Sequence, residues 1–187
     1  MQNIVKNIFN DSTTYFSATF VSAFFSFVTL PVYTRFLSPS DFGIIALFLT
    51  FGTVFTGLVS LSIRSATYRY YFLYEDDTNG FIVLNSTNII FLLFAFMLAG
   101  IVLYLTGQFV VRNFFAGQLS EKIIMLSFFY GCLAYMYEYF ILLLTAQKKA
   151  KEYAKITISM VIINTIFSFY FIFVSSLTYM AKIYASI

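Results

Sequence analysis

The sequence predicts an all-α protein whose helices cross a membrane about five times. Three observations carry that expectation. Of the 187 residues, 60% are hydrophobic and only 10% charged, where a soluble domain carries about 25%. Mean hydropathy is +0.86. The 11 basic and 8 acidic residues are segregated, leaving long stretches with no charge. Such a composition excludes a solvated globular domain, a disordered tail and a basic nucleic-acid binder. The net charge of +3 reflects scarcity of charge rather than a basic patch. Histidine is absent and the single cysteine, Cys132, sits in an apolar stretch. No disulfide framework and no Cys/His metal site is therefore expected, and no cofactor.

The elements follow from the charge map. Charge-free runs cover 12–34, 42–63, 78–111 and 156–181, and the run 123–147 holds only Glu138. A spanning helix needs roughly 20 apolar residues, because the hydrocarbon core is about 30 Å thick. The run 78–111 opens on a polar third, Thr78 to Asn88, and so holds one span rather than two. The expected spans are 13–34, 42–63, 82–106, 123–145 and 156–178. The connections 35–41, 64–81, 107–122 and 146–155 are too short for a soluble domain, so residues 1–187 read as a single transmembrane domain. The first apolar segment exceeds a signal h-region, and no small-residue cleavage site follows it.

Orientation follows from the Lys/Arg bias of short loops. With the N-terminus cytoplasmic, the inside collects Lys6, Arg64, Arg69, Lys148, Lys149, Lys151 and Lys155, against Arg35, Arg112, Lys122 and Lys182 outside. That split favours N-in, and an odd number of spans then places the C-terminus outside.

Residues at i, i+3, i+4 and i+7 share a helix face. Polar or small stripes appear on span 1 (Thr19, Ser22, Ser26, Thr29, Tyr33), span 2 (Ala46, Thr50, Thr53, Gly57, Ser60, Arg64) and span 5 (Thr157, Asn164, Ser168, Ser175). They would either wall a polar cavity or let helices pack closely. Pro31 removes one hydrogen bond from span 1 and is expected to bend it.

Glu138 is the only charge inside a span, on a face shared with Gly131, Ala134, Tyr135, Ile141, Leu142 and Thr145. A carboxylate at that depth must be paired, protonated or wetted. It serves either as a coupling or substrate contact or as half of a structural ion pair with an arginine. Arg64 and Arg69 follow span 2, where they could meet an anionic diphosphate headgroup or anchor the helix to anionic lipid. Glu75-Asp76-Asp77 resembles a diphosphate–Mg²⁺ motif, but Thr78-Asn79-Gly80 reads as a turn and no second acidic cluster completes a site. The sequons at Asn10 and Asn85 fall on the cytoplasmic side and are discounted.

The stretch Leu30-Pro31-Val32-Tyr33-Thr34-Arg35-Phe36-Leu37-Ser38-Pro39-Ser40-Asp41-Phe42-Gly43 resembles the first loop and its flanking helices in the polysaccharide/oligosaccharide flippases. These include the O-antigen and capsule repeat-unit flippases of the MATE-like superfamily. Arg64 to Asp77 is similar to that family's loop after helix 2. Leu144 to Tyr153, containing Gln147-Lys148-Lys149-Ala150-Lys151, is similar to its basic loop between helices 4 and 5. The resemblance implies the N-terminal part of a transporter of 12 to 14 spans, so this chain is expected to be an incomplete first bundle. It also implies a cell-membrane protein of polysaccharide or lipopolysaccharide biosynthesis, with a polyprenyl diphosphate-linked oligosaccharide as substrate. Arg35, Arg64, Arg69 and Glu138 are then the candidates for substrate binding or coupling, with no catalytic residue and no metal ligand. The rivals are a MATE-like cation-coupled exporter, a membrane polyprenyl-diphosphate transferase and a non-transporting membrane protein.

Overall fold

The computed structural model of the chain describes residues 2–74, 77–114 and 121–175. Among these residues there are six α-helices and no strands: α1 Gln2–Phe36, α2 Pro39–Val59, α3 Ile63–Leu73, α4 Thr78–Phe114, α5 Glu121–Ala146 and α6 Ala150–Ser175. All but α3 are long and apolar enough to cross a membrane. The all-α, multi-pass expectation is met, although α1 begins at Gln2, ahead of the expected 13, and α4 runs to Phe114, past the expected 106. Residues 176–178, assigned above to the last span, lie outside the described residues.

Three further boundaries differ from expectation, each for a local reason. Residues 64–73, read as loop, belong to α3, which begins at Ile63. The chain leaves α2 at Ser60 and re-enters a helix at Ile63 through two left-handed residues, Leu61 (φ 49°) and Ser62 (φ 59°). Charge scarcity marks membrane depth but not helicity, so the arginine- and tyrosine-rich segment looked like a connection. Thr78-Asn79-Gly80, read as a turn, is the first turn of α4. The Asp77 carboxylate accepts from the Gly80 N–H at 3.0 Å, as an N-cap does. Residues 150–155, read as connection, already belong to α6. Lys148 (φ 56°) reverses the chain after α5, and the Lys149 N–H returns to the Leu144 carbonyl at 2.9 Å.

The start of α2 explains a motif noted in the sequence. Ser38 and Asp41 form a reciprocal cap. The Ser38 N–H and hydroxyl donate to Asp41 Oδ2 at 2.9 and 2.7 Å, and the Asp41 N–H donates to Ser38 Oγ at 3.3 Å. Pro39 occupies the first helical position, where its missing N–H costs nothing. Ser38-Pro39-Ser40-Asp41 is thus a helix start written in side chains.

The chain forms two compact units, residues 1–45 with 143–187, and residues 46–142. In the first, α1 packs along α6. Tyr15 meets Tyr153 edge-on at 4.9 Å between centroids, and Tyr33 meets Phe169 at 6.5 Å. Both contacts advance in the same chain direction, so the first and fifth spans are parallel, as five alternating crossings require. The hydroxyls of Thr19, Ser22, Ser26 and Thr29 donate back to carbonyls of α1 itself, at 2.9 to 3.1 Å. The helix continues through Pro31 to Phe36.

In the second unit α2 and α5 are also parallel, the relation expected of spans two and four. Ser127 Oγ donates to the Phe48 carbonyl, and one turn later Gly131 lies against Gly52. Phe55 and Phe128 meet edge-on at 5.3 Å, as do Phe96 and Tyr135 at 5.8 Å. On α4, Leu92, Phe96 and Leu103 are buried. Ile90, Leu93, Phe94, Met97, Leu98, Ile101, Val102 and Leu105 are exposed. A helix so apolar on its outer face has acyl chains, not water, as its solvent.

Candidate functional site: a polar cluster on α3, α4 and α5

Helical spacing assembles the cluster. Tyr135, Glu138 and Tyr139 stand at i, i+3 and i+4 on α5, and Arg64 and Thr67 at i and i+3 on α3. Asn85 and Asn88 hold the same relation on α4, so each helix offers its polar groups on one face.

The inner part is a hydrogen-bonded frame. Tyr139, only 1% exposed, donates its hydroxyl to Asn85 Oδ1 at 2.5 Å. Thr67, also 1% exposed, donates to the Ile63 carbonyl and accepts from Asn88 Nδ2, each at 2.9 Å. Its oxygen lies 3.5 Å from the Tyr139 hydroxyl. Each of the four side chains of this frame makes at least one hydrogen bond, as a low-dielectric setting demands.

The outer part carries the charge. The Arg64 backbone N–H donates to the Tyr135 hydroxyl at 3.1 Å, and its guanidinium carbon lies 5.9 Å from the centre of the Tyr135 ring. Arg64 Nη1 forms an ion pair with Glu138 Oε2. The two side chains are 37% and 55% exposed.

The level of the cluster follows from helix arithmetic. Asn85 stands seven residues after the start of α4, and Glu138 eight before the end of α5. At 1.5 Å per residue both lie about 10–12 Å inside their helix ends. Ions at such a level are not left against hydrocarbon, so the exposed side of the pair faces water or lipid headgroups.

Of the four candidates, Arg64 and Glu138 come together. Arg69 is exposed on α3, beside exposed Tyr68, Tyr70 and Phe72, and Arg35 is exposed in the last turn of α1, in the other unit. Asp77 caps α4, while Glu75 and Asp76 lie outside the described residues. On α2 the stripe positions Ala46, Thr50, Thr53 and Gly57 are exposed. Packing uses the neighbouring face of Phe48, Gly52 and Thr56, all buried, and of the stripe only Ser60 is buried with them. Thr67, Asn85, Asn88 and Tyr139 were not foreseen as members of a site. An Asn pair at i, i+3 in the polar opening of the charge-free run 78–111 was the available signal.

Parallel first and fifth spans, parallel second and fourth spans, lipid-facing apolar surfaces and a polar cluster with a buried core of Thr67 and Tyr139 define a multi-pass helical membrane protein. Over residues 8–187 the sequence matches the family described as polysaccharide biosynthesis protein, and the chain belongs to that family. It is therefore a membrane protein of polysaccharide biosynthesis, in agreement with the resemblance seen in its first loop. No curated protein and no solved structure matches the chain.

Proposed function

We propose that the protein serves the passage of a lipid-linked oligosaccharide from the cytoplasmic to the outer leaflet of the cell membrane, with its N-terminus inside. The observation that carries this reading is the family match over residues 8–187. The site supports it with chemistry suited to a diphosphate: Arg64 stands within a polar cluster about two turns inside the ends of α4 and α5, and Arg69 follows on the same helix. The exposed Thr50, Thr53 and Gly57 face of α2 is small and hydroxylated, as a path for sugar requires.

Transport is favoured over a transferase because Asp77, one of the three acids in the only acidic run, is committed to capping α4. It is favoured over a cation-coupled exporter because the lone acid within a span, Glu138, already has a cation. Deleting the gene tests the reading. Lipid-linked oligosaccharide should accumulate in the cytoplasmic leaflet and surface polysaccharide should fall. Unchanged surface polysaccharide and no accumulation would sink it.

A further inference from the structure

We propose that Glu138 is the resident counter-anion of an exchangeable anion site centred on Arg64, and that a diphosphate takes its place. The biological source of that diphosphate rests on the transport reading above. The exchange itself rests on the geometry of the cluster.

The two parts of the cluster are unequally buried. In the frame, Thr67 and Tyr139 are buried and Asn85 and Asn88 half-buried, and their hydrogen bonds tie α3 and α5 to α4. Arg64 is attached to the frame through its own backbone, by the N–H bond to Tyr135, and the Tyr135 ring backs its guanidinium. These contacts do not involve Glu138. The carboxylate can leave without displacing the cation it neutralises.

Glu138 is also the more exposed partner, at 55% against 37%. An ion pair open to water contributes little, so it is a weak competitor. A diphosphate brings more charge and more acceptor oxygens, and a guanidinium engages such groups through two parallel bonds. The larger anion therefore wins, while a monoanion such as chloride gains little over the carboxylate already present. Between substrates, Glu138 spares the membrane an uncompensated arginine. The pair thereby acts as a threshold that selects for polyvalent anions.

Inorganic pyrophosphate is the probe, titrated by calorimetry into the full chain in nanodiscs of zwitterionic lipid. Glu138→Gln should bind it about fivefold more tightly than the wild type, the equivalent of removing a competitor of about 1 kcal/mol. Glu138→Asp, which keeps the charge but withdraws it by one methylene, should fall between them and carries the test if the Gln variant melts early. Arg64→Gln should abolish binding in either background. Polyprenyl diphosphate added to the nanodisc should weaken pyrophosphate binding if the lipid-borne group shares the site, and leave it unchanged if only the free anion does. Equal affinity in the wild type and Glu138→Gln, binding that survives Arg64→Gln, or no binding by any variant would each overturn the proposal. The expected ranking without lipid-linked sugar accumulating in the deletion strain would keep the anion site and remove the transport reading. Accumulation without the ranking would do the reverse.

Discussion

Gly131 of α5 rests directly on the backbone of Gly52 of α2. A methyl group added at Gly131 would overlap the Gly52 carbonyl, its carbon at 2.7 Å, and one added at Gly52 would lie 2.5 Å from the Ser127 carbonyl oxygen. These are backbone atoms and cannot rotate away. Small residues let parallel helices approach this closely where lipid supplies no hydrophobic drive between them. Gly131→Ala should therefore destabilise the second unit by about 1–3 kcal/mol. Gly57→Ala, where nothing lies within 4 Å of the added carbon, should be neutral or stabilise by up to about 1 kcal/mol. Thermal unfolding of both variants in one detergent checks the contrast, and equal melting temperatures would remove the Gly52–Gly131 contact as a cause of stability.

The frame behind Arg64 makes a separate prediction. Tyr139→Phe keeps the ring and deletes the hydroxyl that Asn85 accepts. The orphaned amide oxygen should cost about 1–3 kcal/mol. Glu138→Gln, at a half-exposed position, should cost about 1 kcal/mol or less. The inner hydroxyl thus matters more to folding than the outer charge, and melting temperatures should rank wild type, Glu138→Gln, then Tyr139→Phe. The reverse order would mean that the ion pair, not the frame, holds α3 in place.

Orientation is open to a direct test. The basic turn Gln147-Lys148-Lys149 between α5 and α6 should face the cytoplasm. A Lys149→Cys probe, in a chain with Cys132→Ser, should resist an impermeant thiol reagent in intact cells and react after permeabilisation. Labelling from outside would invert the topology. It would also move the Arg64–Glu138 cluster to the outer side, since Glu138 precedes that turn by only two to three helical turns.

What could be read from the sequence, and what could not, divides along physical lines. Five spans were legible because the bilayer sorts charge, and charge is visible residue by residue. Alternation of crossing then fixed which spans run parallel. The α2 packing face was not legible. Thr50, Thr53 and Gly57 form a tidy stripe, yet Phe48, Gly52 and Thr56 are the residues that bury. In a span with apolar residues all round, periodicity does not say which face meets a neighbour. Glu138 was legible as a residue in need of a partner, and an arginine was one of the readings left open. That the arginine is Arg64 was hidden by reading 64–81 as a loop. Two left-handed residues, Leu61 and Ser62, restart a helix there and bring Arg64 and Thr67 to α5. Neither residue type announces that conformation, which glycine or asparagine would have suggested. The candidate stripe on α6 fared differently again: Ser168 is buried, but nothing in spacing alone could tell whether its hydroxyl is paired.

Ser168 supplies the last prediction. Its side chain is fully buried on α6, in the unit that α1 and α6 build, and its hydroxyl has no hydrogen-bond partner among the described residues. Serines in spanning helices ordinarily return their proton to a carbonyl of the preceding turn, as Ser22 does to Ala18 at 2.9 Å. A buried hydroxyl that does not do so forfeits its hydration without replacement, which costs about 1–3 kcal/mol. Ser168→Ala removes that cost while leaving the smallest possible change of volume, so the variant should melt at a higher temperature than the wild type. Ser22→Ala, which deletes a satisfied hydroxyl, should melt at the same temperature or slightly lower. A Ser168→Ala variant that is destabilised would mean that the hydroxyl is satisfied after all, by an ordered water or a polar ligand between α1 and α6. Hydrogen exchange along α6 separates these cases, because a lost bridging group would expose the amides around position 168 while the rest of the helix stays protected.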